Sequence, residues 1–396
     1  MLARYSEPLE TAVFFFPLIA FFFTLPFMLY QYHKYGAVLF LRAIMTYSFI
    51  LYMLCICFLT ILPLPQRQAV SRYASPWCQP IPFRGVYELF QNPNFQWREP
   101  STYSTLVLNR GFFQLLFNVL MTVPLGIYLR YYFQKGLKTV LWLTFLLSLC
   151  FELIQLSGLF FIYPRPYRLA DVDDLLTNTL GGYVGYLLSP LLTAFLPTPE
   201  RMNHVAYQRS KHVSLLRRLC AAFMDCFTLF ILFMVYYFAR PLYFFGAVTR
   251  VEKLAVLFGY YSAFVLLYFG VGEWLFRGRS PGKWLLRIRL VDSKTLKPPK
   301  LWQCMVRYGL FYLVVVPAPV FSLLVLLFQG LEGASTLTIV TCILFLLVFV
   351  GFCVYAVLFC GAKGGKLPHG YLSRTMDVST LRKRRSRKPA LPSSPA

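Results

Sequence analysis

The chain has 396 residues, of which 58% are hydrophobic and only 14% charged, and it carries 40 Phe and 27 Tyr. A soluble protein holds roughly a quarter charged residues, so a water-soluble enzyme or carrier is excluded, and the recurring long apolar runs read as membrane spans. The net charge of +24 falls between those runs, which makes it a statement about topology and anionic lipid rather than nucleic acid.

Nine candidate spans, each close to the ~20 residues a bilayer requires, fall at about 10–30, 38–62, 112–132, 138–160, 174–196, 219–239, 254–276, 306–329 and 336–361. Pro17 and Pro26 are expected to interrupt the first. No cleavable leader is expected there, because Glu7 and Glu10 stand where a cationic cluster would be and the apolar run is long enough to span. The third and fourth spans meet at a short turn, Tyr131 to Leu137. The stretch "LPTPERMNHVAYQRSKHVSLLRR" at 196–218 is polar and basic with two prolines, as a linker would be. The end, "LRKRRSRKPALPSSPA", reads as a disordered basic tail able to meet anionic lipid.

The predicted architecture is an all-α polytopic integral membrane protein of about nine transmembrane helices in two modules. It divides into an N-terminal membrane segment at 1–36, a membrane domain at 37–196, a cytoplasmic linker at 197–217, a second membrane domain at 218–380 and the tail at 381–396. The odd-numbered connections hold 11 of the 39 Lys and Arg, and the even-numbered ones the remaining 28. The positive-inside rule then puts the N-terminus outside and the C-terminus in the cytoplasm. Nine of the ten Cys lie in or beside apolar runs and read as small packing residues, while Cys78 lies in a long loop. No cofactor or zinc spacing is evident, and no nucleic acid is expected as a partner.

Charged and amide side chains inside spans are expensive and mark functional candidates. On the assigned topology Asn118, Glu152 and Gln155 fall in the outer halves of the third and fourth spans. Glu152 and Gln155, three apart, share a helical face. Arg165 and Arg168 follow, and Asp171, Asp173 and Asp174 open the fifth span, where Asp171, Asp174 and Asn178 share a face. The outer loop before them carries "IPFR", Ile81 to Arg84. Aspartates at a helix start also cap free N–H groups, and Gly181 and Gly185 form a helix-packing GxxxG. Carboxylates beside Asn and Arg could seat a polar head group or a divalent cation. The residues Asn118 to Gly126, the Glu152/Gln155 pair and Arg168 followed by "ADVDDLLTNTLGGYVGY" resemble the VanZ-like family, named for teicoplanin resistance, over about residues 35–195. The resemblance implies a polytopic protein linked to lipoglycopeptide resistance, and it supplies no reaction.

In the second module Arg218 and Asp225 lie two turns apart at the inner end of the sixth span, with Ala221 between them. The spacing would also suit a simple ion pair at the membrane edge. Ser280-Pro281-Gly282-Lys283 is a turn, lacks Walker spacing, and is followed by "WLLRIRLVD", which alternates as a strand would. Arg307 opens the eighth span, and "HGYLSRTMDV" follows the last. Arg218, Ala221, Asp225, Pro281, Gly282, Lys283 and His369 resemble the RDD family over about 212–380, with Gly370 standing where that family's second Asp is expected.

The resulting expectation is a bacterial plasma-membrane protein of the cell envelope that binds or modifies a lipoglycopeptide or lipid-linked wall precursor. Its site would be an outward pocket of Asn118, Glu152, Gln155, Arg168, Asp171, Asp173, Asp174 and Asn178, and membrane lipids would be partners. The alternative is an ion- or solute-coupled transporter using Glu152 and Asp225. Whether it is an enzyme stays open. No Ser-His-Asp order or metal-ligand His spacing supports hydrolysis or transfer, and all four His fall in connections assigned to the inside.

Overall fold

A backbone surrounded by lipid must satisfy its own N–H and C=O groups, so the long apolar runs of this chain fold as helices. The structure, a computed structural model, describes residues 3–74, 76–91, 95–96, 98–239, 259–315, 336–360 and 365–381. In chain order these form α1 (Ala3–Tyr35), α2 (Phe40–Ile61), α3 (Arg67–Ser71), β1 (Cys78–Gln79), α4 (Arg84–Phe90) and α5 (Tyr103–Val107). Next come α6 (Arg110–Tyr131), α7 (Leu137–Leu156), α8 (Gly158–Phe161), β2 (Ala170–Asp171), α9 (Val172–Leu192), α10 (Pro199–Ser210) and α11 (Leu215–Ala239). A helix at 259–275, here α12, precedes α13 (Pro281–Leu285), β3 (Ile288–Asp292), α14 (Leu301–Tyr308), α15 (Thr336–Cys360), α16 (Pro368–Leu372) and β4 (Thr375–Ser379).

Among the described residues, five helices are long and apolar enough to cross a membrane: Ser6–Tyr35, Phe40–Ile61, Arg110–Tyr131, Leu137–Leu156 and Leu215–Tyr236. The chain is all-α and polytopic. Helices α9 and α15 stand where the fifth and ninth spans are expected. The expected span at 306–329 is described only to residue 315, and the basic tail from 382 onward lies outside the described residues.

Three boundaries differ from expectation. α1 runs unbroken through Pro17 and Pro26, because a proline removes only one donor and a spanning helix tolerates that. α7 stops at Leu156 rather than near 160, because Gly158 takes φ +62° and Leu159, Phe160 and Phe161 also have positive φ. The segment after α9 carries α10, opened by Pro199 in the first turn and by the Thr198 hydroxyl, which accepts from Arg201 N at 3.3 Å. The turn from Tyr131 to Leu137 and the strand after the Ser280 turn form as expected, though Trp284 and Leu285 close α13 instead of starting β3.

The described chain forms two compact units. Met1–Phe23 with Phe40–Met202 makes the first, and Thr24–Leu39 with Asn203–Ala396 the second. In the first, α6 and α9 meet backbone to backbone. A Cβ on Gly181 would lie 2.2 Å from Val119 O, one on Gly185 2.0 Å from Val123 O, and one on Gly126 2.2 Å from Gly182 O. The GxxxG thus fixes the depth and angle at which α9 presents its first turn. β1 pairs in parallel with β2, Cys78 opposite Ala170 and Gln79 opposite Asp171. In the second unit β3 and β4 pair antiparallel, Ile288 opposite Ser379 and Asp292 opposite Thr375. Two π-helical stretches, Leu266–Gly272 in α12 and Gly309–Val315 continuing α14, bring Phe269 onto Tyr312, with ring centroids 4.4 Å apart.

Gly185→Leu should therefore separate α6 from α9. A loss of roughly 3 kcal/mol, at the upper end of overpacking costs, should appear as a sharply lower melting temperature in detergent by fluorescence-detected size exclusion. Gly136→Ala, where a new Cβ meets nothing within 4 Å, should leave the profile unchanged.

Candidate functional site

The first turn of α9 gathers the acidic residues. Asp171 is its N-cap, and its Oδ1 accepts from Asp173 N at 2.9 Å. Gln79 Nε2 approaches the same oxygen at 3.4 Å. The backbone N–H of Asp171 in turn donates to Glu152 Oε2 at 2.8 Å, so the buried carboxylate on α7 is held by the start of α9. Asp173 is buried, and its two oxygens accept from Phe83 N at 2.5 Å and Gly85 N at 2.7 Å. Those amides lie at the start of α4, and Phe83 sits at φ +62°. A side-chain-bearing residue rarely adopts that conformation without support. Asp174 Oδ1 accepts from Asn118 Nδ2 at 2.5 Å, and Asn178 Nδ2 donates to Ser148 Oγ at 2.8 Å. Burial raises the pKa of Asp171, against the N–H bond from Asp173.

The two remaining members of the expected pocket face α2. Gln155 Nε2 lies 3.5 Å from Thr60 O. Arg168 donates to the carbonyls of Leu59, Thr60 and Leu62, at 3.3 and 2.7 Å for the first two, and so caps the C-terminal end of α2, where the helix dipole favours a cation. The bonds to the Asp173 carboxylate come from backbone amides of the 81–85 segment. Among the described residues no three His, Cys, Asp or Glu side chains are grouped as a metal ion would require.

The second unit builds its polar centre differently. Asp225 on α11 accepts from Ser280 Oγ at 2.6 Å, Gly282 N at 2.8 Å and the Tyr268 hydroxyl at 3.1 Å, which clamps the Ser280–Lys283 turn to α11. A Cβ on Gly282 would lie 2.3 Å from Ala221 O, so both the glycine and the small Ala221 follow from this approach. Lys283 Nζ bonds Glu273 and the Tyr308 hydroxyl, which itself donates to Glu273. Asp377 on β4 is met by three cations: Arg307 at 2.8 Å, Arg218 at 3.5 Å and Lys283 at 3.9 Å. Arg218 also donates to Gly365 O at 2.7 Å. Burial raises the Asp377 pKa, but Arg307, Lys283 and Arg218 outweigh it and hold the carboxyl well below the usual range. Burial, reinforced by Arg307, holds His369 well below the usual imidazole range. Arg218 and Asp225, which the spacing would pair with each other, thus reach Asp377 and the Ser280 turn respectively.

Residues 49–193 match the VanZ/LLP1 family model, and residues 212–366 match the RDD family model. The chain joins a VanZ-like module to an RDD module. With its apolar helices, this makes it a multi-pass membrane protein. No curated protein matches the chain, and no solved structure does.

In the RDD module the match ends at 366, short of His369 and Asp377. Sequence reasoning missed Asp377, Glu273, Tyr308 and Arg217. Arg217 is fully buried and donates to the carbonyls of Leu286 at 2.9 Å and Arg287 at 3.0 Å. In the VanZ-like module the missed groups are Gln79, Ser148 and the Phe83 and Gly85 amides, and backbone amides leave no trace in composition.

The ion network gives a pH prediction. The folded pKa of Asp377 is depressed, so its contribution is present above the unfolded value near 4 and is lost as pH falls below it. Thermal stability in detergent should fall steeply below about pH 4. Asp377→Asn should lower stability at pH 7 by roughly 3–5 kcal/mol, the cost of breaking a buried pair, and should flatten the acid limb.

Proposed function

We propose that the VanZ-like module recognises an amphiphilic envelope ligand, a lipoglycopeptide or a lipid-linked wall component, at the outer face of a bacterial plasma membrane. The observation that carries this reading is the fastened segment from Trp77 to Phe90. Strand pairing ties Cys78 and Gln79 to Ala170 and Asp171, and the Asp173 carboxylate holds the Phe83 and Gly85 amides. On that segment Trp77, Ile81, Phe83 and Tyr87 stay 55%, 58%, 64% and 63% exposed. Apolar and aromatic side chains held rigid and open at a membrane face suit a partner that is itself part greasy and part polar.

In this reading Asp171, Asp173 and Asp174 set the platform, and Glu152 braces it from within α7. Asn118 and Asn178 fix Asp174 and Ser148 on the neighbouring helices. The resistance role comes from the family resemblance, and the outward placement from the distribution of Lys and Arg. Transport through Asp225 gains no support from its surroundings, because Ser280, Gly282 and Tyr268 already donate to that carboxylate.

Two measurements test the reading. Phe83→Ser combined with Tyr87→Ser removes two exposed rings and leaves the Asp173 bonds in place. Binding of a fluorescent lipoglycopeptide to purified protein in nanodiscs should weaken about tenfold, or ~1.4 kcal/mol. Glu152→Gln should abolish protection of cells while the protein still inserts. Unchanged binding in the first and unchanged protection in the second would refute the platform. For orientation, Cys78 is exposed, and an impermeant thiol reagent should label it on intact cells, with Cys78→Ser as control. Labelling only after the membrane is breached would reverse the topology.

A further inference from the structure

The RDD module holds a cavity of about 220 Å³ beside its Ser280–Lys283 turn and ion network. The volume is several times the ~30 Å³ share of one water molecule. One wall is polar: Arg218, Lys283, Arg307, His369 and Asp377 line it. The other is apolar, with Leu219 and Phe269 facing Phe352 and Val357. Leu219 on α11 and Val357 on α15 are 55% and 64% exposed, so the opening lies between apolar faces of two helices. Such an opening suits an occupant with apolar chains.

Three buried polar atoms of this wall make no hydrogen bond: His369 Nδ1, Arg307 Nε and Asp377 Oδ1. His369 is 6% exposed and the Asp377 side chain 4%. Unmet buried groups of this kind cost about 1–3 kcal/mol each, so they mark a place where something else supplies the bonds. The π-helical stretches that carry Phe269 and Tyr312 meet at the same cavity, and interruptions of that type are frequent at functional sites.

The charges narrow the occupant. Three cations, Arg218, Lys283 and Arg307, line the cavity with two carboxylates, Asp225 and Asp377, while Glu273 pairs with Lys283 from outside the lining. The lining therefore carries one net positive charge, which favours a singly charged anion over a doubly charged anion or a bare cation. Arg307 Nε requires an acceptor and Asp377 Oδ1 a donor. We infer that the cavity holds the head group of a singly charged phospholipid with free hydroxyls, its phosphodiester oxygen facing Arg307, a hydroxyl facing Asp377 and its chains leaving between α11 and α15. The nine basic residues of 277–307 draw such lipids to the neighbourhood, each contributing about 1 kcal/mol near an anionic surface.

The test is native mass spectrometry of the full chain released from nanodiscs of phosphatidylcholine with phosphatidylglycerol. The wild-type protein should retain one phosphatidylglycerol in preference to phosphatidylcholine. Val357→Trp fills the mouth from an exposed position and should reduce that retention at least tenfold. Val354→Trp, on the same helix at 51% exposure, should leave it unchanged. His369→Phe keeps the ring stacking on Phe311 and Phe352 but removes the nitrogen, and should also weaken retention, which separates occupancy from folding. Equal retention of the two lipids, or undiminished retention in both Val357→Trp and His369→Phe, overturns the assignment. Displacement of the lipid by inorganic phosphate overturns it as well, because the cavity would then take a soluble anion. Binding of lipoglycopeptide by the VanZ-like module is read separately and is untouched by any of these outcomes.

Discussion

A carboxyl group that leaves water needs N–H groups or cations to replace the lost solvation. Asp173 shows the first solution. Both of its oxygens are met by backbone amides, at 2.5 and 2.7 Å, from the start of a helix some ninety residues earlier in the chain. That pair of bonds determines more than the fate of one side chain. It holds Phe83 in a left-handed conformation, it turns α4 relative to α9, and with the Cys78–Ala170 pairing it makes a rigid platform of what would otherwise be loop. Asp171 and Glu152 extend the same logic inward, each carboxylate taking the amide that follows or precedes a helix start. The α6–α9 glycine contact sits beneath all of this, since it sets where the first turn of α9 lies.

The RDD module uses both solutions. Asp225 is solvated by two hydroxyls and an amide, and serves as a clamp for a turn. Asp377 is solvated by cations, and three elements, α11, α13 and α14, converge on it through Arg218, Lys283 and Arg307. The difference has a consequence for binding. Amides that saturate a carboxylate leave little for a ligand to do there. Cations shared among several carboxylates leave single atoms unmet, and at this site the residues that carry them line a cavity.

What the sequence made legible follows from what composition and spacing encode. Apolar runs announced the helices, the strand-like alternation after the Ser280 turn announced β3, and Gly181 with Gly185 announced close helix packing. The convergence of Glu152 and the three aspartates at one end of α7 and α9 was also readable, because turn positions and helical period fix it. Partners across long separations were not. Nothing in the spacing of Arg168 told that it would cap α2, and nothing in the stretch "HGYLSRTMDV" marked Asp377 as the centre of an ion network. Pro17 and Pro26 misled for a related reason: a propensity measured in water lost to a lipid environment in which breaking a helix costs more than one missing bond.

Gly370 completes the argument about the RDD module. The family resemblance leads one to expect a carboxylate there, and its absence at first suggests a lost charge. The geometry shows what such a carboxylate would have met. A Cβ at 370 would sit 3.2 Å from Arg307 Nη1 and 3.1 Å from Thr375 O. The same guanidinium is instead neutralised from β4, where Asp377 takes its Nη2 at 2.8 Å while Thr375 takes its Nη1 at 3.0 Å. The charge at Arg307 is thus balanced by a residue seven positions further along, on a strand whose pairing with β3 fixes its reach. A larger side chain at 370 would crowd the bond between Arg307 and Thr375, so the glycine and the displaced aspartate belong to one arrangement. The charge balance around Arg307 is set by Asp377, with Thr375 taking the remaining N–H, and position 370 supplies none of it.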